Sequence, residues 1–424
     1  MKHYADNYDD AHPEIGKHER RERPFDYNIG VACFEDLGAH LGMRPEEVPA
    51  KRQMRNSVLA NLALIGRMGS GTKLFYSRAN DDYARHSKYA PGWYTRSVVT
   101  QVIDRLVEEG WAFGTRTKPS RYATRRSVIW PTPRLTPALL FIEAEHLAHR
   151  PLNAILLRDE NKRLIPYQET GETRAMRREV IEQNEALAAL GVQIGEVTQM
   201  GLYRAGNGRV INTIKRELYR VFNQSRWDLG GRCYGGWWQQ LPKHERAKLI
   251  LDGAASFEHD ISACHLRIAY AYAGVSLPQT DPYRLEGLPS ILGASHDVAR
   301  NAAKRAIMVL INAETAPSAH RAICRHLSEA NLPMHKTKEV VASIKISMPE
   351  LKRIWHSGLG LVFQRYDSDV AMRVMRSMRK KGVPVLPVHD SFIVRSSAEM
   401  QLKEVVEREF EVCLSKLRSG SKPW

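Results

Sequence analysis

The chain contains no C-x-x-C pair: its five cysteines, Cys33, Cys233, Cys264, Cys324 and Cys413, are scattered through 424 residues. Such spacing argues against a disulfide framework and a zinc site and fits a reducing, cytoplasmic setting. No apolar run approaches the ~20 residues that a membrane-spanning helix needs, so no membrane partner is expected. The opening "MKHYADNYDDAHPEIGKHERRERPFDY" is charged throughout and lacks the apolar stretch of a signal peptide. It reads as a flexible arm over 1–29. Low-complexity segments and internal repeats are also missing. Acidic residues are in deficit, 47 Asp+Glu against 63 Lys+Arg, for a net charge of +16. That imbalance is the footprint of a protein that meets polyphosphate. With 43% hydrophobic residues the chain is not a disordered polycation, and its length suggests two or three domains.

Residues 30–138 read as one unit. "PEEVPAKRQMRNSVLANLALIGRMG" has apolar positions at helical spacing. Further on, Thr95 caps a helix with a stripe of Val98, Val99, Val102, Ile103 and Leu106, ended by Gly110. Two strands follow, "WAFGTRT" and "RRSVIWP", joined by a basic loop. A helix followed by a basic hairpin resembles the winged-helix domain. That resemblance implies a helix in a DNA groove with Arg96, Lys118, Arg121, Arg125 and Arg126 near the nucleic acid. The plainer alternative is a basic helical domain that packs on its neighbour.

Prolines 131, 133 and 137 mark a boundary. Residues 139–228 read as mixed, with a strand in "NAILLRD" and helices in "RREVIEQNEALAALG" and "INTIKRELYRVFNQ". The unusual residues cluster in 229–424, in three segments. "HDISACHLR" ends a strand at Asp260 before a helix. "SHDVARNAAKRAIMVLINAET" is a helix capped by Ser295 that carries Arg300 and Lys304 at i and i+4, on one face. "KGVPVLPVHDSFIVRSS" reads as a β-hairpin with His389 and Asp390 at its tip. Two carboxylates at strand ends, with two cations on one helix face, suit Mg²⁺ and a triphosphate. Mg²⁺ keeps several waters and prefers one or two carboxylates together with phosphate oxygens.

The three segments resemble motifs A (257–268), B (296–313) and C (385–394) of family A DNA polymerases and the single-subunit RNA polymerases. "DISACHLR" is similar to D-Y-S-x-x-E-L-R at Asp260, Ser262, Leu266 and Arg267. "RNAAKRAIMVLINA" keeps R-x-x-x-K, and "VHDSF" matches H-D-E or H-D-S. "GGRCYGGWWQQLPKHER" resembles the segment preceding motif A. The resemblance covers roughly the last 200 residues and implies an α+β right-hand palm and fingers, preceded by a helical thumb-like region and the winged-helix-like domain.

It further implies two Mg²⁺ ions, or Mn²⁺, on Asp260, Asp390 and the carbonyl of Ile261. Lys304 and Arg300 would meet the triphosphate, with His265, Met308 and Asn312 around the nucleotide and Arg232 and His389 at the primer-template. The expected partners are nucleoside triphosphates, a DNA template, a DNA or RNA primer and replication accessory proteins. The chain departs from the pattern where the sugar is read: His265 replaces the DNA enzymes' glutamate, and Asn312 replaces a tyrosine. His265 is thus either a gate against ribose or a structural histidine. No exonuclease domain is expected. The expected function is a minimal DNA polymerase replicating a plasmid, phage or integrated element. The alternatives are a primase or RNA polymerase, a replication initiator or repressor with a non-catalytic palm, and a metal-dependent nuclease. Trp237 and Trp238 read as core rather than base-stacking, Asp281 and Tyr283 as a turn, Asp367 and Asp369 as non-ligands, and Arg267 as a brace.

Overall fold

The computed structural model describes residues 22–68, 72–86, 88–116, 127–151, 153–198, 201–278 and 280–420. Helix and strand are mixed along the chain, which divides into two compact units. One comprises Met1–Ser225 with Cys233–Phe257, the other Arg226–Arg232 with Glu258–Trp424. Among the described residues no helix is long and apolar enough to cross a membrane.

In the first unit the helix Pro49–Met68 buries Met54, Val58, Leu59, Leu62 and Ile65 on its inward side. It packs with the helix Arg96–Glu108, whose buried stripe is Val99, Val102, Ile103 and Leu106. Each such side chain contributes about 1.5–3 kcal/mol of hydrophobic stabilisation. The Thr95 hydroxyl accepts the Val98 N–H at the start of this helix, and Gly110 follows its end in the left-handed region, φ 73°. Against these helices lies a four-stranded sheet ordered Glu22–Pro24, Lys73–Tyr76, Ser127–Pro131, Ala112–Thr115. Its first pair is parallel and the others antiparallel. Of the residues expected to touch DNA, Lys118, Arg121, Arg125 and Arg126 lie outside the described residues.

Farther along, the helix Gly171–Ala188 starts from a reciprocal cap between Thr170 and Thr173. The expected helix over "INTIKRELYRVFNQ" does not form. That stretch holds the strands Val210–Asn212 and Tyr219–Phe222, the latter parallel to Ile155–Leu157. Its apolar residues happen to fall three and four apart, but the β-branched and aromatic side chains fit a pleated, buried surface, and strand pairing prevailed over the helical period. Trp237 and Trp238 are 1% and 0% exposed and belong to the core. The glycines before them are needed for close packing. A Cβ on Gly235 would fall 2.2 Å from the Glu217 carbonyl oxygen, and one on Gly236 would fall 2.3 Å from the Trp238 ring.

The second unit is mainly helical: Cys264–Tyr272, His296–Asn312, Ala316–Glu329, Thr337–Ser347, Gly360–Lys380 and Glu399–Arg418. A hairpin of Leu386–Val388 and Ser391–Arg395 lies in sheet order beside Ala254–Asp260, the strand that leads into this unit. Arg267 ties its helix to Glu399–Arg418. It donates to Glu407 at 2.9 Å and Glu411 at 2.8 Å, one turn apart, with its guanidinium 4.4 Å from the Phe410 ring centre. This is the bracing role that its sequence position suggests.

Candidate active site

Asp260 ends its strand, and four residues later the helix Cys264–Tyr272 begins. The reversal passes through Ala263 at φ 50°. A second left-handed residue, His389 at φ 59°, turns the hairpin, whose register pairs Val388 with Ser391 and leaves only His389 and Asp390 in the loop. Left-handed backbone at residues other than glycine costs free energy and persists where the surroundings over-determine it. One of the two follows Asp260 by three residues and the other directly precedes Asp390. The turns are tied together: the Ile261 N–H donates to the Asp390 carbonyl oxygen at 3.0 Å, and the Ser391 hydroxyl donates to Asp260 Oδ1 at 2.7 Å.

Asp260 is exposed and Asp390 half-buried. Burial pushes the Asp390 carboxyl above the usual carboxylate range; Arg232 opposes that, while Asp260 and Asp367 add like-charge repulsion. A cation beside Asp390 would relieve that repulsion. The donors are all hard oxygens, which fits a Mg²⁺ that completes its shell with water and phosphate. Among the described residues no cluster of three or more His, Cys, Asp or Glu side chains forms a self-sufficient metal cage.

Behind these acids lies a buried triad. Asp367, 1% exposed on the helix Gly360–Lys380, receives the Arg232 Nε at 3.1 Å on both oxygens and also pairs with its Nη2. His265 Nε2 lies 2.6 Å from Asp367 Oδ2 and 3.0 Å from Arg232 Nη2. Burial alone would raise the Asp367 carboxyl, but Arg232 and His265 outweigh it and hold it below the usual range. The residues before Arg232 are fixed to the same helix, since Ser368 donates to the Gly230 carbonyl at 3.1 Å and Arg365 to that of Trp227 at 2.9 Å. Sequence reading set Asp367 aside. Its signal was its place four residues after Phe363 and three before Val370, on the apolar face of its helix, where a charge requires a partner.

Two of the residues singled out in the sequence belong to this triad. His265, 8% exposed, is packed edge-on to Phe363. Arg232 pairs with Asp367 and so braces the acid cluster.

On the helix His296–Asn312, Arg300 and Lys304 do share a face. Their charged ends lie 5.5 and 5.8 Å from the centre of the Tyr283 ring. Lys304 is exposed; Arg300 donates to Asp281 at 2.6 Å and thereby holds that carboxyl below its usual range. The Asp281 turn, with the Tyr283 N–H bonded to its carboxylate at 3.0 Å, is therefore also an anchor for Arg300. One turn beyond Lys304, Met308 is half-buried and gives its carbonyl to the Asn312 amide at 2.6 Å. The Asn312 oxygen occupies the space where a Cβ on Gly360 would stand, 1.5 Å away, so Gly360 must lack a side chain. In the first unit, Arg96 is exposed and donates to the Arg78 carbonyl at 2.8 Å, while Arg78 grips both Asp104 oxygens at 2.8 Å. Neither pairing was legible in the helix pattern alone.

No protein-family model matches this chain, and no curated protein matches it. Among solved structures it is similar to the POL domain of Pol1 from M. smegmatis, determined in complex with DNA primer-template and dNTP. The identity is 12% and the TM-score 0.27, over 91% of this chain. The chain spans 64% of the length of that structure.

Proposed function

We propose that the protein is a template-directed nucleic-acid polymerase that adds nucleotides to a 3′-hydroxyl. The observation that carries this reading is the tying of the Asp260 and Asp390 turns to one another by two hydrogen bonds, with like charge from Asp260 and Asp367 facing Asp390. Asp260, Asp390 and the Ile261 carbonyl would hold two Mg²⁺ ions, which when bound would lower the pKa of the attacking hydroxyl and neutralise the leaving pyrophosphate. Ser391 orients the Asp260 carboxylate, and the Arg232–Asp367–His265 triad sets the field behind Asp390. From the exposed face of its helix, Lys304 would meet the triphosphate and supply a proton to the leaving group; Arg300 would hold the outer phosphates.

The finer reading is a right-hand palm and fingers of the family A kind, working for a plasmid, phage or integrated element. The first unit would act as a winged-helix-like DNA-binding module. The order of its elements supports this: helix, strand, two helices, then two strands that join the earlier strand in one sheet.

The test is primer extension by the purified full-length chain with Mg²⁺, offering dNTPs or rNTPs on primed and unprimed templates. Template-dependent synthesis that vanishes in Asp390→Ala is the expected result. Synthesis unchanged in that variant would overturn the catalytic assignment, and RNA made without a primer would make the enzyme a primase or RNA polymerase.

A further inference from the structure

The four-stranded sheet of the first unit buries one face and leaves part of the other open. Leu74, Ala112 and Ile129 point into the core. Side chains alternate along a strand, so their neighbours Lys73, Phe113 and Trp130 point the other way. The register sets these three in one row across adjacent strands. Phe113 is paired with Trp130, and the pairing of Leu74 with Ile129 places Lys73 on the opposite flank of Trp130. Phe75 and Val128 nearby are only 7% and 6% exposed, which confines the open surface to this row.

Phe113 is 47% exposed despite its size, with its ring centre 5.8 Å from that of Trp130 and tilted by 37°. The Lys73 ammonium stands over the Trp130 ring, 4.0 Å from its centre. Glu22 lies opposite Lys73 on the edge strand, yet among the described residues the ammonium has no ion-pair partner. A single exposed aromatic needs no explanation. One set beside a second ring and an unpaired ammonium is a stacking platform with a phosphate contact next to it.

Single-stranded nucleic acid meets both demands, because every base offers a π-face to the rings and every nucleotide a phosphate to the ammonium. A duplex keeps its base faces stacked on one another. The charge of the chain agrees: it is +16 in total, and residues 116–126, which join the Phe113 and Trp130 strands in sequence, include five cations and no acid. A cation on an exposed ring is weakly held, so a phosphate can draw Lys73 away and leave that ring to a base. We propose that this row binds single-stranded nucleic acid, with bases stacked on Phe113 and Trp130 and Lys73 on a phosphate. This goes beyond the winged-helix reading, in which the helix Arg96–Glu108 meets duplex DNA, and uses no part of the Asp260 and Asp390 site.

The test is photo-cross-linking of the full-length protein to oligomers of about 15 nucleotides that carry 5-iodouracil in a dT strand, an rU strand or a duplex. EDTA and the omission of nucleoside triphosphates keep synthesis out of the readout, so failure of the polymerase reading would not affect it. Trypsin releases Phe113 in the peptide 106–116 and Trp130 in the peptide 127–134. Adduct yield on these peptides against protein concentration therefore reports this face alone. Adducts with a single strand are expected, at an affinity at least about tenfold above that of the duplex; the dT and rU arms show whether DNA or RNA is preferred. Phe113→Ala, at an exposed position, should weaken binding read on 127–134 by at least about fivefold, while Phe113→Tyr should retain it. Lys73→Gln should lower the slope of log affinity against log salt by about 0.7. The proposal would be overturned by the absence of adducts on both peptides, as when the row serves a protein partner, by a duplex bound as well as a single strand, or by unchanged affinity in Phe113→Ala.

Discussion

His265 Nε2 and Asp367 Oδ2 stand 2.6 Å apart, 102 residues apart in sequence, and Arg232 closes the third side of the group. A charge at 1% exposure is tolerable only when paired in this way. Asp367→Asn should cost about 3–5 kcal/mol, because it leaves the Arg232 cation uncompensated. His265→Ala should cost about 1–3 kcal/mol, since Asp367 keeps its arginine. The Asp367 carboxyl is depressed in the fold, so its contribution is fully present above the unfolded pKa and is lost as pH falls through the folded one. Urea unfolding of both variants at neutral and acid pH checks the order and the pH trend. The preference for dNTPs over rNTPs should change less than about threefold in His265→Ala; a large change would make this residue the sugar gate.

Asp390 points the opposite way. Its folded pKa is raised, so the ionised carboxylate destabilises the protein, and stability falls as pH rises from the unfolded pKa through the folded one. Without divalent metal, Asp390→Asn should therefore raise Tm by about 2–4 °C while abolishing synthesis. Mg²⁺ should raise the Tm of the parent protein and not that of the variant. A lower Tm in Asp390→Asn would mean that the carboxylate is a structural hydrogen-bond partner.

The contrast between these two acids explains how much of the site could be read in the sequence. Asp260 and Asp390 sit where a strand turns into a helix and where a hairpin reverses, both local patterns set by neighbouring residues. Asp367 carries no such mark: its partners come from 102 and 135 residues earlier, and no local period reports them. The same limit misread "INTIKRELYRVFNQ". There the pairing of Tyr219–Phe222 with Ile155–Leu157, a contact distant in sequence, decided against the helical spacing. The first unit's helix and hairpin were legible because cap, stripe and terminal glycine all lie within about fifteen residues.

The Gly-Gly-Trp-Trp run tests packing alone. Gly235 is at φ +111°, closed to other residues, and its Cα faces the Glu217 carbonyl too closely for a methyl group. Gly235→Ala should destabilise the first unit by about 2–4 kcal/mol, through backbone strain and overpacking together. Trp238→Phe, which opens space beside Gly236, should cost about 1–3 kcal/mol. Thermal melts followed by tryptophan fluorescence would measure both. A Gly235→Ala protein as stable as the parent would show that the segment relaxes, contrary to the tight approach seen here.

Arg300 is held by Asp281 at 2.6 Å in a pair about one-third exposed on each side. An incoming triphosphate must compete with that carboxylate for the guanidinium. Pairs this exposed are worth about 0.2–1 kcal/mol, so Asp281→Asn should lower the nucleotide KM by about 1.5–5-fold with kcat little changed, while Arg300→Ala should raise it more than about tenfold. The direction has a pH signature. Arg300 depresses the Asp281 carboxyl, so the competition persists down through the ordinary carboxylate range, and the variant and parent KM values should converge only below it. Steady-state kinetics across pH would read this directly. If Asp281→Asn instead raised KM, the acid would be a support that positions Arg300 for the phosphates rather than a rival for it.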